Sequence, residues 1–499
     1  MVRRRLRALR RALVPGGGVT GRAVAGGVWL TAANAVNSVL NLVMLVVIAN
    51  FLAPADFGLM AIALVTLGAL ESLSELGLDK ALIQREEADV DRYLDTAWTL
   101  QIARGAAIAA VLFLAAPLAA DFFGEPRATA VIRVIGFGPL ILGAQNPGVM
   151  YLDKNMEFHK RFVYELGGSL SYVVSGVALA VVLGDVWALV FGVLVDRTVR
   201  LLASYLLHDY RPSPAFDPEL ARELYGFGKW ITASMLIYFL FTSGDDAFVG
   251  WYLSAAALGF YQIAYRFSNA PATEVTQIVS EVAFPAYASV QGSVAKLREG
   301  FFRTLQVTTV VSFPMAAGIF AISPVFVDAF LGETWEPVVP VMQILAVHGA
   351  MRSFGATFGP LFEAVGRPDY STKLQALNLV ILAALIYPFT ARWGIDGTAL
   401  AVLGVSVIVP VPVYLVLRVV EGSLVRFLRT LVVPLAGSVV MGVSVVLADR
   451  SLETGVPAAE FVALVALGVA VYAAVVLAAE RWFGYGIFAL LRTMRESVA

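Results

Sequence analysis

No cysteine occurs among the 499 residues. Disulfides, thiol nucleophiles and thiolate metal sites are therefore excluded. Histidine is nearly as scarce. His159, His208 and His348 stand far apart without metal-ligand spacing, and are expected at helix ends or in packing. Charged residues make up only 15% of the chain, against roughly a quarter in a soluble domain. There is no N-glycosylation sequon, Walker A loop or HExxH motif, so nothing points to ATP hydrolysis or to a metal centre. A formal net charge of -1 gives no sign of a nucleic-acid partner.

What fills the chain instead is hydrophobic sequence, 59% of it, in runs long enough to cross a bilayer. The reading is an all-α polytopic membrane protein with fourteen spans: 22–52, 56–79, 94–120, 128–151, 162–183, 187–207, 226–250, 256–283, 303–330, 338–365, 372–390, 395–417, 428–448 and 457–480. With the N-terminus in the cytoplasm, the segments predicted outside carry no Lys or Arg except Arg127, Arg392 and Arg450. A missed span would invert every later loop and destroy that asymmetry, so both termini are expected inside a multi-pass cell-membrane protein. The outer connections are little more than turns, which leaves no extracytoplasmic domain to hold an active site. The chain is read as no enzyme.

Residues 1–21 carry six arginines within the first eleven positions, then Pro15 and three glycines. No small-residue cleavage site follows, so this is no signal peptide. It reads either as a basic helix on the anionic lipid surface or as a tail that only sets orientation. Two six-helix halves are expected, at 22–208 and 226–420, joined by a cytoplasmic link at 209–225. Two further helices lie within 421–482, followed by a cytoplasmic tail, 483–499. The halves look duplicated. Leu52, Ala55, Gly58, Ile62 and Ala63 recur as Leu253, Ala256, Gly259, Ile263 and Ala264. Asp185, Ala188 and Leu189 recur as Asp396, Ala399 and Leu400. A repeated membrane unit is a common build for transporters.

Polar residues inside spans mark candidate function. Thr31, Asn34, Ser38 and Asn41, with Asn37 alongside, stripe one helix face. They either bond neighbouring helices or line a wet cavity. Gln262 and Arg266 share one face of the eighth span; Tyr261, Tyr265, Ser268 and Asn269 share the adjoining one, and Pro271 should bend it. Arg104, Arg197 and Arg352 also fall within spans, and an unpaired arginine there costs on the order of 3 kcal/mol or more. Such arginines persist where they meet an anion, since a planar guanidinium suits phosphate, or where a structural acid such as Glu71, Glu75 or Glu363 neutralises them. Arg200, four residues after Asp196, is expected to pair within its helix. Asp245 and Asp246 are candidates for ion coupling or a plain interfacial pair. Glu71, Glu75 and Asp79 form either an inner gate or a solvated helix end.

Several segments resemble the polysaccharide exporter, or lipid-linked oligosaccharide flippase, family. They are FLAPADFGLMAIA at residue 51, SELGLDKALIQR, DVWALVFG, LYGFGKWITAS, DDAFVGWYLSAAALGFYQIAYRFSNAP, VAFPAYASVQ and LGETWEPVVPVMQILAV. The colanic-acid exporter branch looks nearest, within the superfamily that also holds MATE exporters and lipid II flippases. One departure is Glu75, where an aspartate is expected; the charge is kept. The resemblance implies two six-helix bundles with pseudo-twofold symmetry plus two C-terminal helices. It implies alternating access around a cationic cavity, and movement of polyprenyl- or dolichyl-linked oligosaccharide to the outer leaflet. On that reading Arg104, Arg197, Arg266 and Arg352 face pyrophosphate or glycan, and Asn34, Asn37, Asn41, Tyr261, Tyr265 and Gln262 line the cavity. No cofactor is implied beyond a coupling proton or sodium ion, carried by Asp245 or Asp246. The implied partners are the lipid-linked substrate, membrane lipids and a glycan polymerase or glycosyltransferases, with the carrier a monomer. The competing readings are a MATE-like exporter of small organic molecules and a membrane glycan polymerase or ligase.

The absence of cysteine makes the topology directly testable. A membrane-impermeant maleimide should label Ser254→Cys in intact cells, and Ser213→Cys only after permeabilisation. The reverse pattern would overturn the orientation.

Overall fold

The computed structural model describes residues 36–74, 87–155, 157–451 and 455–485, and within these the chain is helical with no strand. The helices, in order, are α1 (Val36–Ala49), α2 (Pro54–Leu73), α3 (Glu87–Phe122), α4 (Ala128–Ile135), α5 (Gly138–Gly143), α6 (Met150–Lys154), α7 (Phe158–Leu183), α8 (Trp187–Leu207) and α9 (Pro218–Tyr252). There follow α10 (Ala255–Val290), α11 (Val294–Phe330), α12 (Val338–Gly355), α13 (Phe358–Ala364), α14 (Pro368–Gly404), α15 (Pro410–Val419), α16 (Leu424–Asp449) and α17 (Pro457–Phe483). Among the described residues, seven helices are long and apolar enough to cross a membrane by length and composition alone. Large apolar side chains stand outward rather than inward: Leu114 and Val182 are each 77% exposed and Leu206 85%. That surface suits hydrocarbon, not water.

Within the described residues each of the fourteen predicted spans contains helix, the parts at 22–35 and 75–79 lying outside them, and three spans are broken, 395–417 by a 3-10 stretch at Val405–Ile408 before α15. The predicted span 128–151 stops after Ile135, restarts at Gly138 and ends in a short 3-10 turn at Pro147–Val149. The predicted span 338–365 divides into α12 and α13 at Gly355–Thr357. Pro139 and Pro147 in the first, and Gly355 with Pro360 in the second, lie at or beside these breaks, and a helix interrupted by such residues resumes at a new angle. The predicted pair 372–390 and 395–417 begins as one helical stretch, α14, kinked at Gly394, where φ is 59°.

Two compact units emerge, Met1–Gly259 and Phe260–Ala499. In the first, the link after α8 is strapped down rather than free. The Tyr210 hydroxyl donates to Asp95 Oδ1 at 2.6 Å, the Ser213 hydroxyl donates to Asp95 Oδ2 at 2.8 Å, and Asn146 Nδ2 donates to the Tyr210 carbonyl at 2.6 Å. The compact unit then continues through α9, which packs on α2. The duplicated turns meet in this unit. A Cβ on Gly58 would sit 1.6 Å from the Ala255 carbonyl oxygen, and one on Gly259 would sit 1.9 Å from the Pro54 carbonyl oxygen. Each copy of the turn thus rests its backbone on the shelf of the other, and only glycine at both positions permits that approach.

Four prolines inside helices organise much of the remaining packing. A proline lacks the N–H that would bond the carbonyl four residues before it, and in hydrocarbon that carbonyl must find another donor. Pro117 in α3 leaves the Phe113 carbonyl, which accepts from Arg133 Nε at 3.1 Å; the guanidinium also lies 4.6 Å over the Phe113 ring. Pro314 and Pro324 in α11 leave the Val310 and Phe320 carbonyls. The Tyr472 hydroxyl of α17 donates to the first at 2.8 Å, and Gln343 Nε2 of α12 donates to the second at 3.2 Å. Pro434 in α16 leaves the Thr430 carbonyl, which accepts from the Tyr485 hydroxyl at 2.5 Å. Tyr472 thereby ties α17 to α11, and Tyr485 ties the end of α17 to α16, each through a carbonyl that proline leaves without its helical donor.

Tyr472→Phe should lower the stability of the detergent-solubilised protein by about 1 kcal/mol. In a Pro314→Ala background the same change should cost close to nothing, because the helix then satisfies its own carbonyl. Equal losses in both backgrounds, measured by denaturant unfolding, would contradict the assignment.

Candidate functional site

In the first unit the intramembrane arginines find internal partners. Glu71 stands near the C-terminal end of α2, where helix carbonyls have no helical donor and a cation is favoured. Arg104 of α3 fills that role: its Nη2 donates to the Glu71 carbonyl at 3.0 Å and its Nε to the Ser74 hydroxyl at 3.2 Å. Arg197 of α8 places Nη1 3.7 Å from the Glu71 carboxylate. A small polar pocket of about 40 Å³ remains between Glu71, Gln101, Arg104 and Pro139, the size of a water molecule rather than a substrate. A second cluster lies on α7 and α8. Arg200 Nε donates to Asp196 Oδ1 at 2.9 Å, as the four-residue spacing led one to expect, and its Nη1 binds Glu165. Arg161 holds the same Glu165 at 2.8 Å.

The second unit is different. Its α10 meets the segment that leads into α12 where Phe260 packs edge-on against Trp335, and meets α12 itself where the Ser268 hydroxyl donates to the Met342 carbonyl at 2.9 Å. Tyr261 is wholly buried against Tyr265, with ring centroids 6.3 Å apart. Gln262 is half-buried. The Tyr265 hydroxyl accepts from Arg352 Nη1 at 3.1 Å. Arg266 and Arg352 are both exposed, and neither has a carboxylate partner among the described residues. An accessible guanidinium group, here one of two and oriented by a phenol, has the donors that an anion requires. Elsewhere in this unit an apolar groove of about 430 Å³ runs between α11, α12 and α16, past Ala316, Phe320, Met351, Val439 and Gly442 to Arg450. It is chemically suited to a hydrocarbon chain.

The other candidates are scattered. Asn41 Nδ2 donates to the Asn37 carbonyl at 2.8 Å within α1, while Asn34 lies outside the described residues, as do the gate candidates Glu75 and Asp79. Asp245 is buried and Asp246 half-buried, within the last two turns of α9. Glu71, the remaining gate candidate, is the acid beside Arg104 and Arg197. His348, expected at a helix end or in packing, lies one turn before Arg352 on α12 with its Nδ1 buried.

Comparisons with known proteins agree on the kind of molecule. A family profile described as "Polysaccharide biosynthesis protein" matches residues 47–340, more than half of the chain. The lipopolysaccharide biosynthesis protein WzxC of Escherichia coli K12 is 29% identical over 79% of this chain and 81% of its own. The succinoglycan biosynthesis transport protein ExoT of Rhizobium meliloti 1021 is 26% identical over 66% of each. Among solved structures, the lipid II flippase MurJ in an inward closed conformation superposes with a TM-score of 0.73 over 91% of this chain and 99% of its own, at 14% identity. That likeness establishes the fold.

The two kinds of arginine should respond oppositely to truncation. Arg200→Ala leaves Glu165 and Asp196 without their shared cation and should destabilise the protein by about 2 kcal/mol. Arg352→Ala, which loses one hydrogen bond at an exposed site, should stay within about 0.5 kcal/mol of the parent. Thermal unfolding in detergent reads both.

Proposed function

The chain belongs to the polysaccharide biosynthesis protein family, and from that membership we propose that it moves a lipid-linked oligosaccharide across the membrane. The observation that carries this reading is that Arg266 and Arg352 are exposed, with no carboxylate partner among the described residues, and that Tyr265 bonds Arg352. Guanidinium groups held in low dielectric without a counter-ion are costly unless an anion completes them. The anion supplied by a polyprenyl- or dolichyl-linked glycan is its pyrophosphate, which accepts bidentate bonds from arginine. Exposed arginines favour such a cargo over an organic cation. The glycan would occupy the polar site while the apolar carrier stays against hydrocarbon-compatible surface, such as the groove that ends at Arg450.

In this reading the protein is a carrier of the cell membrane with both termini in the cytoplasm. It performs no bond-making chemistry and exposes its site to the two leaflets in turn. A proton or sodium ion supplies the coupling, with Asp245 or Asp246 as carrier. Arg104 is bonded to the end of α2 and Arg197 stands 3.7 Å from the Glu71 carboxylate, so both contribute to substrate binding only in a state that frees them.

Cells lacking the protein should accumulate a lipid-linked oligosaccharide on the inner leaflet while the surface glycan falls. The double variant Arg266→Ala/Arg352→Ala should reach the membrane in normal amount and reproduce that phenotype, with export reduced at least about tenfold. Normal export by the double variant removes the proposed site. A phenotype of drug sensitivity with glycans unchanged favours a small-molecule exporter instead.

A further inference from the structure

The apolar groove that ends at Arg450 takes its floor and two walls from three helices. Both α12 and α16 pack along α11 and make little contact with each other, which leaves the gap between them open. Ala316 and Ala317 of α11 keep the floor low. Leu435, Val439, Val443 and Leu447 recur at every fourth position of α16 and so line up as one wall. All four are more than half exposed, so the groove is open along its side. Over residues 435–450 the chain rises about 22 Å. A volume of about 430 Å³ spread over that length leaves a cross-section of about 20 Å², the girth of a single extended hydrocarbon chain. A methylene takes up about as much space as a water molecule, about 30 Å³, so the groove holds about fourteen of them. An unbranched acyl chain fits that width. A polyprenyl chain, with a methyl branch on every isoprene unit, is thicker.

Hydrocarbon gains little by leaving other hydrocarbon, so apolar walls alone do not hold one lipid in place. Arg450 supplies the anchor. It is exposed, lines the end of the groove and has no ion-pair partner among the described residues. Its guanidinium offers paired donors that suit a phosphate. On the topology proposed above, Arg450 stands at the outer headgroups. The groove then runs inward past the bilayer midplane, since half of the hydrocarbon core is about 15 Å thick. We propose that this groove is a binding site for a phospholipid of the outer leaflet, with one acyl chain laid along residues 435–447 and the phosphate on Arg450. The site does not rest on the flippase reading. A carrier lipid that enters the groove must displace the resident phospholipid.

The full chain in detergent tests this with two probes, hexadecyl phosphate and geranylgeranyl phosphate. They share a headgroup and a backbone length, and the second adds methyl branches and double bonds. The parent should carry phospholipid through purification and bind hexadecyl phosphate about tenfold more tightly than geranylgeranyl phosphate. Gly442→Leu puts a side chain into the groove, where a Cβ comes no nearer than 3.8 Å to Ala317. Its thermal unfolding midpoint should be unchanged or raised, and its binding of hexadecyl phosphate at least about tenfold weaker. Val443→Trp fills the groove from an exposed position and replaces Gly442→Leu if that variant does not fold. Arg450→Ala should weaken hexadecyl phosphate about tenfold, and Arg450→Lys by less. Unchanged binding after groove filling overturns the site, as does unchanged binding by Arg450→Ala. Tighter binding of geranylgeranyl phosphate, lost on groove filling, assigns the groove to a branched carrier and overturns the phospholipid. Export is not measured, so failure here leaves the flippase reading standing.

Discussion

A carbonyl oxygen in hydrocarbon has no water to turn to, and most of the tertiary arrangement of this chain can be traced to that constraint. Proline makes the problem acute by removing a helix donor. Each of Pro117, Pro314, Pro324 and Pro434 coincides with a side chain from elsewhere in the fold that restores the lost bond: Arg133, Tyr472, Gln343 and Tyr485. Arg104 serves the end of α2 in the same way. Packing between apolar helices in lipid has little hydrophobic preference for one neighbour over another. Directed bonds to exposed carbonyls supply the selectivity that water would supply in a soluble core.

The same constraint sorts the charges. Arginines that hold structure stand beside acids in return, Arg197 at 3.7 Å from Glu71 without a hydrogen bond, and Arg200 bonded to Asp196 and Glu165. Arg266 and Arg352 lack any such acid among the described residues, and on the proposed reading their charge serves a ligand. An anionic cargo needs cations that remain free in the empty state, yet a membrane protein tolerates few of them. The division between neutralised and open arginines meets both demands by separating them in the chain.

The duplicated turn is an instance where pattern and packing agree. Gly58 and Gly259 are equivalent in the repeat, and each is pressed against the backbone of the other copy. A repeat of leucine, alanine and glycine is weak evidence by composition. The reciprocal contact gives those positions a steric reason that no frequency argument supplies.

How far the sequence reached follows from the range of the forces involved. Hydrophobic runs and the placement of Lys and Arg are local and additive, so the all-helical, many-span character of the chain was legible residue by residue. The resemblance of ordered motifs identified the family. The Asp196–Arg200 pair was equally legible, because four residues are one helical turn. The breaks at Gly136–Phe137 and Gly355–Thr357 were not, since apolar residues on both sides keep the hydropathy continuous while the backbone turns. Nor could the sequence alone separate Arg197 from Arg352: both are arginines inside apolar spans. Whether a carboxylate from another helix stands beside each depends on contacts far apart in the chain, and only the tertiary structure decides them.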